Sequence, residues 1–153
     1  MLLKMFGEKM QSIHELYALL KQKGFRITAP KRELLDIFLA NQDRMLSVSD
    51  VFHLLPDGSG IDNATVYRNI QKFYELGVLE SMVDDRGVSR YTLQEKEHHH
   101  YLICTQCGRI IRFPCTTHYW DSFAEGADFT ETMHKLEVYG ICASCKKAAL
   151  EHS

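Results

Sequence analysis

Four of the five cysteines in this chain form two pairs, Cys104-x-x-Cys107 and Cys142-x-x-Cys145. Two intervening residues let both thiolates of a pair face one ion across a tight turn, and two such knuckles complete a tetrahedral shell at about 2.3 Å per sulfur. A shell filled by four thiolates leaves no position for water, so this spacing predicts structural zinc rather than a catalytic ion. Unmetallated thiols or a redox switch are the competing readings. The start, MLLKMFGEKM, lacks a signal-type apolar core, and no apolar stretch is long enough to span a bilayer. A cytoplasmic protein with no membrane partner is expected, and in that reducing compartment paired cysteines point to metal rather than to disulfides.

Six of the eight histidines lie at or after His98, and His98, His99 and His100 are consecutive. On a strand His98 and His100 point one way and His99 the other, so the run can serve two places. His134 is expected on a later strand, and His118 with Cys115 in the segment leading into a helix. Neutral imidazoles converging from separate elements suit zinc, and the soft sulfur of Cys115 strengthens that preference over Fe2+ or Mn2+. A surface histidine cluster with no ligand role is the plainer alternative. A metalloenzyme would need an open metal position beside a general base, and no glutamate stands at metalloprotease spacing, so no enzymatic activity is expected.

A third constellation lies on the segment DNATVYRNIQKFYELG, which begins at Asp62. Val66, Ile70 and Phe73 share one helical face, leaving Thr65, Arg68, Asn69 and Lys72 towards the other. Tyr67 offers a ring for a thymine methyl and a hydroxyl for a phosphate, while Arg68 and Lys72 are natural phosphate partners. Polar residues on a helix are also what a merely solvated face requires. The net charge of −2 does not advertise nucleic-acid binding, but Lys21, Lys23, Arg26, Lys31 and Arg32 fall in a stretch without an acid, which makes a local basic patch.

The elements that position these residues follow from caps and periods. Ser12 with Glu15 forms a capping box before the helical spacing Ile13, Leu16, Tyr17 and Leu20, which Gly24 ends. Thr28 with Pro30 opens a second helix to about Leu39, and Ser47 with Asp50 opens a third whose buried face is Val48, Val51, Phe52 and Leu55. The fourth runs from Asp62 to Gly77. Val78 to Val83 and Val88 to Leu93 then flank the turn Asp84-Asp85-Arg86-Gly87 and read as a hairpin. Helices followed by a two-stranded ribbon make a winged helix, with the last helix in the major groove, although such a module can also bind only protein. Beyond Gln94 the composition shifts to histidine and cysteine. Strands are expected at Tyr101–Ile103, Ile110–Phe113 and Phe129–Tyr139, a helix at Thr117–Glu125, and a short terminal segment from Cys142. The expected fold is α+β, with a winged helix-turn-helix domain over 1–93 and a small α/β domain carrying the four-cysteine zinc site over 94–153.

Four segments in order, GFRITAPKRELLDIF, ATVYRNIQKFYELGVLE, HHHYLICTQCGRIIRF and MHKLEVYGICASC, resemble the ferric uptake regulator (Fur) family, and the resemblance spans residues 12 to 147. It implies a homodimer joined through the C-terminal domain that binds a double-stranded DNA operator and represses metal-uptake or stress genes under metal control. Tyr67 and Arg68 match the family's groove-facing pair, Arg26 a residue that reaches the minor groove, and the two cysteine pairs a structural zinc site found in many members. Lys31, Arg32 and Thr65 complete the expected DNA-contacting set.

Many members also hold one regulatory ion between the domains and another in the dimerisation domain. At the first site Met45 and Tyr101 stand where histidines are common and Thr92 where an acid is common, leaving His99 as the match. At the second, His98 and His134 match, His100 replaces an aspartate, His118 lies close to a glutamate position, and Cys115 supplies an alternative ligand. Oxygen is thus exchanged for nitrogen and sulfur, which favours Zn2+ as the second, regulatory cofactor and places the chain near the zinc uptake regulator (Zur) branch. An iron-responsive or peroxide-stress member of the family is the alternative, and a winged-helix and zinc-knuckle protein-interaction module is the reading outside it.

Overall fold

The computed structural model describes residues 13–95, 97–115 and 120–151. The chain divides into two compact units, Met1–Glu95 and Lys96–Ser153. In the first, α1 (Ile13–Gln22), α2 (Ala29–Ala40), α3 (Val48–His53) and α4 (Asn63–Glu75) surround a sheet of β1 (Leu46–Ser47), β2 (Leu79–Val83) and β3 (Ser89–Leu93). Leu16 and Leu20 of α1, Leu34, Leu35 and Phe38 of α2, and Val66, Ile70 and Phe73 of α4 are buried in one core. The apolar face expected on the fourth helix is therefore the face that packs.

Local signals account for the helix ends. The predicted Ser47–Asp50 capping box forms in full, and Asp62 caps α4 by accepting from the Thr65 backbone N–H at 2.7 Å. Gly77, at φ +72°, turns the chain out of α4, with the Val78 N–H donating to the Phe73 carbonyl at 2.9 Å. Thr28 takes the N-cap position of α2 without a side-chain cap bond, and Pro30 occupies the first turn. Ser12 of the predicted first capping box lies outside the described residues. On α3 Val51 is buried but Phe52 is 39% exposed, so the buried face is narrower than expected.

The hairpin forms as predicted, with β2 and β3 antiparallel. The short β1 was not anticipated: Leu46 and Ser47 pair with Tyr91 and Arg90, giving a sheet of order β1-β3-β2. Arg90 locks this ribbon to α3, donating from Nη1 to Asp50 at 2.9 Å and from Nε to Asp84 at 2.8 Å. Burial pushes the Asp50 pKa up, but hydrogen bonds from Ser47 and the Arg90 charge outweigh it and hold the carboxyl below its usual range. That stabilisation is present above the ordinary carboxylate pKa and is lost as pH falls through the lowered folded value. Because Asp50 is 44% exposed, Arg90→Met should remove about 1 kcal/mol or less through this pair. Thermal melts should show the wild type's advantage over the variant shrinking as the solution is acidified through that window.

In the second unit β4 (His99–Cys104) and β5 (Ile110–Pro114) form a hairpin, and β6 (Glu137–Gly140) lies parallel to β4 on its other side. Parallel pairing demands a long crossover, and the chain between β5 and β6 carries α5 (Asp121–Gly126). A final helix, α6 (Ala143–Glu151), follows the last cysteine pair's start. The strand expected from Phe129 is confined to Glu137–Gly140; residues 129–136 are irregular, so His134 sits on a connecting segment rather than on a strand. Among the described residues of this unit only His100, Tyr101, Cys104 and Ile110 are buried. Local apolar content drew the expected strand too long, because pairing with β4 stops where the chain leaves the sheet edge.

Candidate metal centres and nucleic-acid face

The four-cysteine cluster is built at one end of the second sheet. Cys104 closes β4, the turn to β5 carries Cys107, and β6 delivers Cys142 beside them, with Gly140 in register with Cys104. The sulfur atoms of all four lie within 4.8 Å of one another. Cys104 Sγ is 3.9 Å from Cys145 Sγ and Cys107 Sγ is 3.8 Å from Cys142 Sγ. Sulfurs on a tetrahedron of about 2.3 Å radius stand about 3.8 Å apart, so the residues fit a zinc shell.

The thiols of the cluster are held unequally. Burial pushes the Cys104 thiol up, but backbone N–H groups of Cys142, Cys107 and Gln106 outweigh it and bring its pKa down to about 6. Cys142 is lowered as well, chiefly by the Cys145 backbone N–H. Cys145 is instead pushed up to about 12, first by its hydrogen bond with Cys142 and then by burial and the other thiols. Four thiolates cannot crowd together unaided, and a divalent ion resolves that conflict.

The second cluster consists of His98, His100, Cys115 and His134, whose donor atoms again lie within 4.8 Å of one another. His98 Nε2 is 2.8 Å from His134 Nε2, and Cys115 Sγ is 3.2 Å from the same His134 nitrogen. His100 is buried, and burial, followed by the neighbouring His98 and His134, lowers its pKa, which keeps the ring neutral and able to ligate. Three imidazoles and a thiol are donor types that a tetrahedral zinc shell takes, and the two Nε2 atoms, in hydrogen-bond contact here, would part to the edge of about 3.3 Å that such a shell requires. His118 lies outside the described residues. His99 is not brought to this cluster: it bonds the Glu97 carbonyl through Nδ1 and the Tyr101 hydroxyl through Nε2 at 2.6 Å. Alternation along β4 thus separates His99 from His100, while His98 precedes the strand. Met45 and Thr92 are buried in the first unit and Tyr101 in the second, and none of the three is of a type that commonly ligates a divalent ion. Two side chains that the sequence reading missed stand behind His134, namely Glu131, which accepts from Nδ1, and Trp120, whose indole N–H donates to the same carboxylate. Trp120 is distant in sequence, and Glu131, although three residues before His134, lies on an irregular segment whose side-chain directions carry no period to read.

On the first unit, Tyr67 and Arg68 are exposed on α4, and Arg68 donates to Thr65 Oγ1 at 3.1 Å. Arg26 and Arg32 are exposed. Lys31 donates to the Arg26 carbonyl at 2.9 Å and lies 3.9 Å from the Phe25 ring centre, so its ammonium is placed beside Arg26. Lys72, also on α4, is engaged with Glu75 at 3.1 Å. The basic stretch and the outer face of α4 thus belong to one compact unit.

Residues 22–139 match the model of the ferric uptake regulator family. The chain belongs to this family. The ferric uptake regulation protein of Neisseria meningitidis is 33% identical over 132 residues, covering 84% of this chain and 92% of that protein. The peroxide-responsive repressor PerR of Staphylococcus aureus is 31% identical, covering 88% and 91%. Among solved structures, the ferric uptake regulator of Francisella tularensis with iron superposes with a TM-score of 0.66 at 32% identity, covering 80% of this chain and 96% of that one. As a Fur-family member the chain is a metal-dependent, DNA-binding transcriptional repressor and not an enzyme. No helix among the described residues is long and apolar enough to cross a membrane.

Proposed function

We propose that this Fur-family protein is a zinc-responsive repressor of metal-homeostasis genes, acting in the cytoplasm as a homodimer on a double-stranded operator. The observation that carries the metal assignment is the donor set of the second cluster, His98, His100, His134 and Cys115, which contains no carboxylate. Nitrogen and sulfur donors select zinc, whereas sites for Mn2+ lean on oxygen. The four-cysteine cluster is assigned a structural zinc, and residues 1–93 and 94–153 the DNA-binding and dimerisation roles. His118 remains a proposed ligand on the sequence alone, whereas His99 is turned to Tyr101.

Dimerisation is supported by an apolar row on the second sheet. Leu102 is in register with Ile111 on β5 and with Val138 on β6, and all three are exposed. So small a unit with so few buried residues gains most by covering that row with a second copy. A zinc ion in the second cluster would supply a charge centre that fixes its ligands' relative positions. Trp120 and Glu131 hold His134, β4 holds His100, and the chain end of β5 holds Cys115.

DNA binding is assigned to Tyr67, Arg68 and Thr65 on α4 with Arg26, Lys31 and Arg32. Gel shifts with the protein's own upstream DNA, under a series of free Zn2+, Fe2+ and Mn2+, test the whole reading. Sequence-specific binding should appear at the lowest free concentration with zinc. Tyr67→Ala should flatten the preference between operator and random duplex, whereas Lys31→Ala should weaken all duplexes alike and lower the salt slope by about one unit. Operator binding that answers to iron or manganese but not to zinc would overturn the metal assignment, and unchanged binding in both variants would overturn the reading face.

A further inference from the structure

We propose that Glu131 is a positioning residue for the second cluster, which it serves, with Trp120 behind it, by fixing the tautomer of His134. A neutral imidazole carries one N–H and one lone pair, and only the nitrogen with the lone pair can take a metal. The Glu131 carboxylate can only accept, so its bond with His134 Nδ1 requires the proton to sit on Nδ1. Nε2 is then left bare, and it is Nε2 that stands 2.8 Å from His98 Nε2 and 3.2 Å from Cys115 Sγ.

Trp120 completes the device. Its indole N–H holds the other carboxylate oxygen, and its ring lies 4.2 Å from the His134 ring at a tilt of 54°. Glu131 is therefore fixed at both oxygens, and the imidazole is held both at Nδ1 and by the indole. His134 and Glu131 are only 19% and 27% exposed, so water competes weakly for these bonds. Because residues 129–136 are irregular, no backbone ladder orients His134, and this side-chain chain takes that task. A carboxylate behind a histidine ligand typically raises metal affinity 10–100-fold by orienting the ring and making its nitrogen more basic.

The inference rests on reading this cluster as a metal site, and its test separates the two. Full-length protein labelled with 15N-histidine, with only the four-cysteine site loaded, would be examined by long-range 15N–1H correlation at a pH where imidazole is neutral. His134 should show a protonated Nδ1 and a bare Nε2 in the wild type. In Glu131→Ala it should shift towards the opposite tautomer or a mixture, with Glu131→Gln intermediate because its single amide oxygen can accept from His134 Nδ1 or from Trp120 but not from both. Zinc affinity of the second site, read by competition with a chromophoric chelator, should fall about 10–100-fold in Glu131→Ala and less in Glu131→Gln. Quenching or enhancement of the single tryptophan on zinc addition should follow the same titration. If both variants keep the wild-type tautomer and zinc affinity, the proposal is wrong. If the tautomer shifts as stated but the wild-type cluster binds no zinc, the zinc-responsive reading fails and the orienting role of Glu131 stands on the spectrum alone. Glu131→Gln guards against loss of folding, since it has the same shape and volume as the residue it replaces.

Discussion

Cys104→Ser should strip zinc from the four-cysteine site and unfold the second unit while leaving the winged helix intact. Cys104 is buried at the end of β4, receives backbone N–H bonds from three residues, and faces Cys145 at 3.9 Å. Structural zinc contributes apparent binding energy on the order of 10 kcal/mol, comparable with or above the whole stability of a small domain. The second unit has little else, since all of the main apolar cluster lies in the first. Circular dichroism, hydrogen exchange and metal analysis on one sample would show the outcome. Protection should vanish from β4, β5 and β6 but persist on α1, α2 and α4. A variant that keeps its full zinc content and dimer mass would show that the four cysteines do not form the structural site.

The double change His98→Ala with His134→Ala should abolish the response of DNA binding to metal without removing the structural zinc. These two rings contribute the facing Nε2 atoms of the second cluster, and each lies against His100, at ring separations of 4.8 and 5.1 Å. Losing both leaves only His100 and Cys115 of the described cluster, too few to close a shell. A corepressor acts by binding the DNA-competent arrangement more tightly, and a hundredfold preference corresponds to about 2.7 kcal/mol, a modest demand on one coordinated ion. Operator affinity at saturating zinc should therefore drop about a hundredfold, to the level of metal-depleted wild type. Met45→Ala should leave the zinc response unchanged. If the double variant still answers to zinc while His99→Ala does not, regulation belongs to a site built around His99. Running zinc stoichiometry on the same samples keeps loss of sensing distinct from loss of the fold.

Much of the molecule was legible in the chain because it is encoded locally. The spacing of Cys104 and Cys107, and of Cys142 and Cys145, needs only a turn to place two sulfurs on one side. The caps at Ser47 and Asp62 act within three residues, and the apolar period of α4 names Val66, Ile70 and Phe73 before any packing is known. Alternation along β4 already separates His99 from His100. What only the tertiary structure decided are contacts between residues far apart in sequence. The parallel seat of β6 against β4 carries Cys142 to Cys104, and β1 pairs with β3 although two residues carry no period to read. An irregular segment, not a strand, presents His134 together with Glu131 three residues before it, and the crossover brings Cys115 and Trp120 to them from positions that no local pattern links. Local rules fix which atoms can ligate; chain crossings decide which of them meet, because hydrogen-bond pairing and burial at a sheet edge are settled by elements that are not neighbours in sequence.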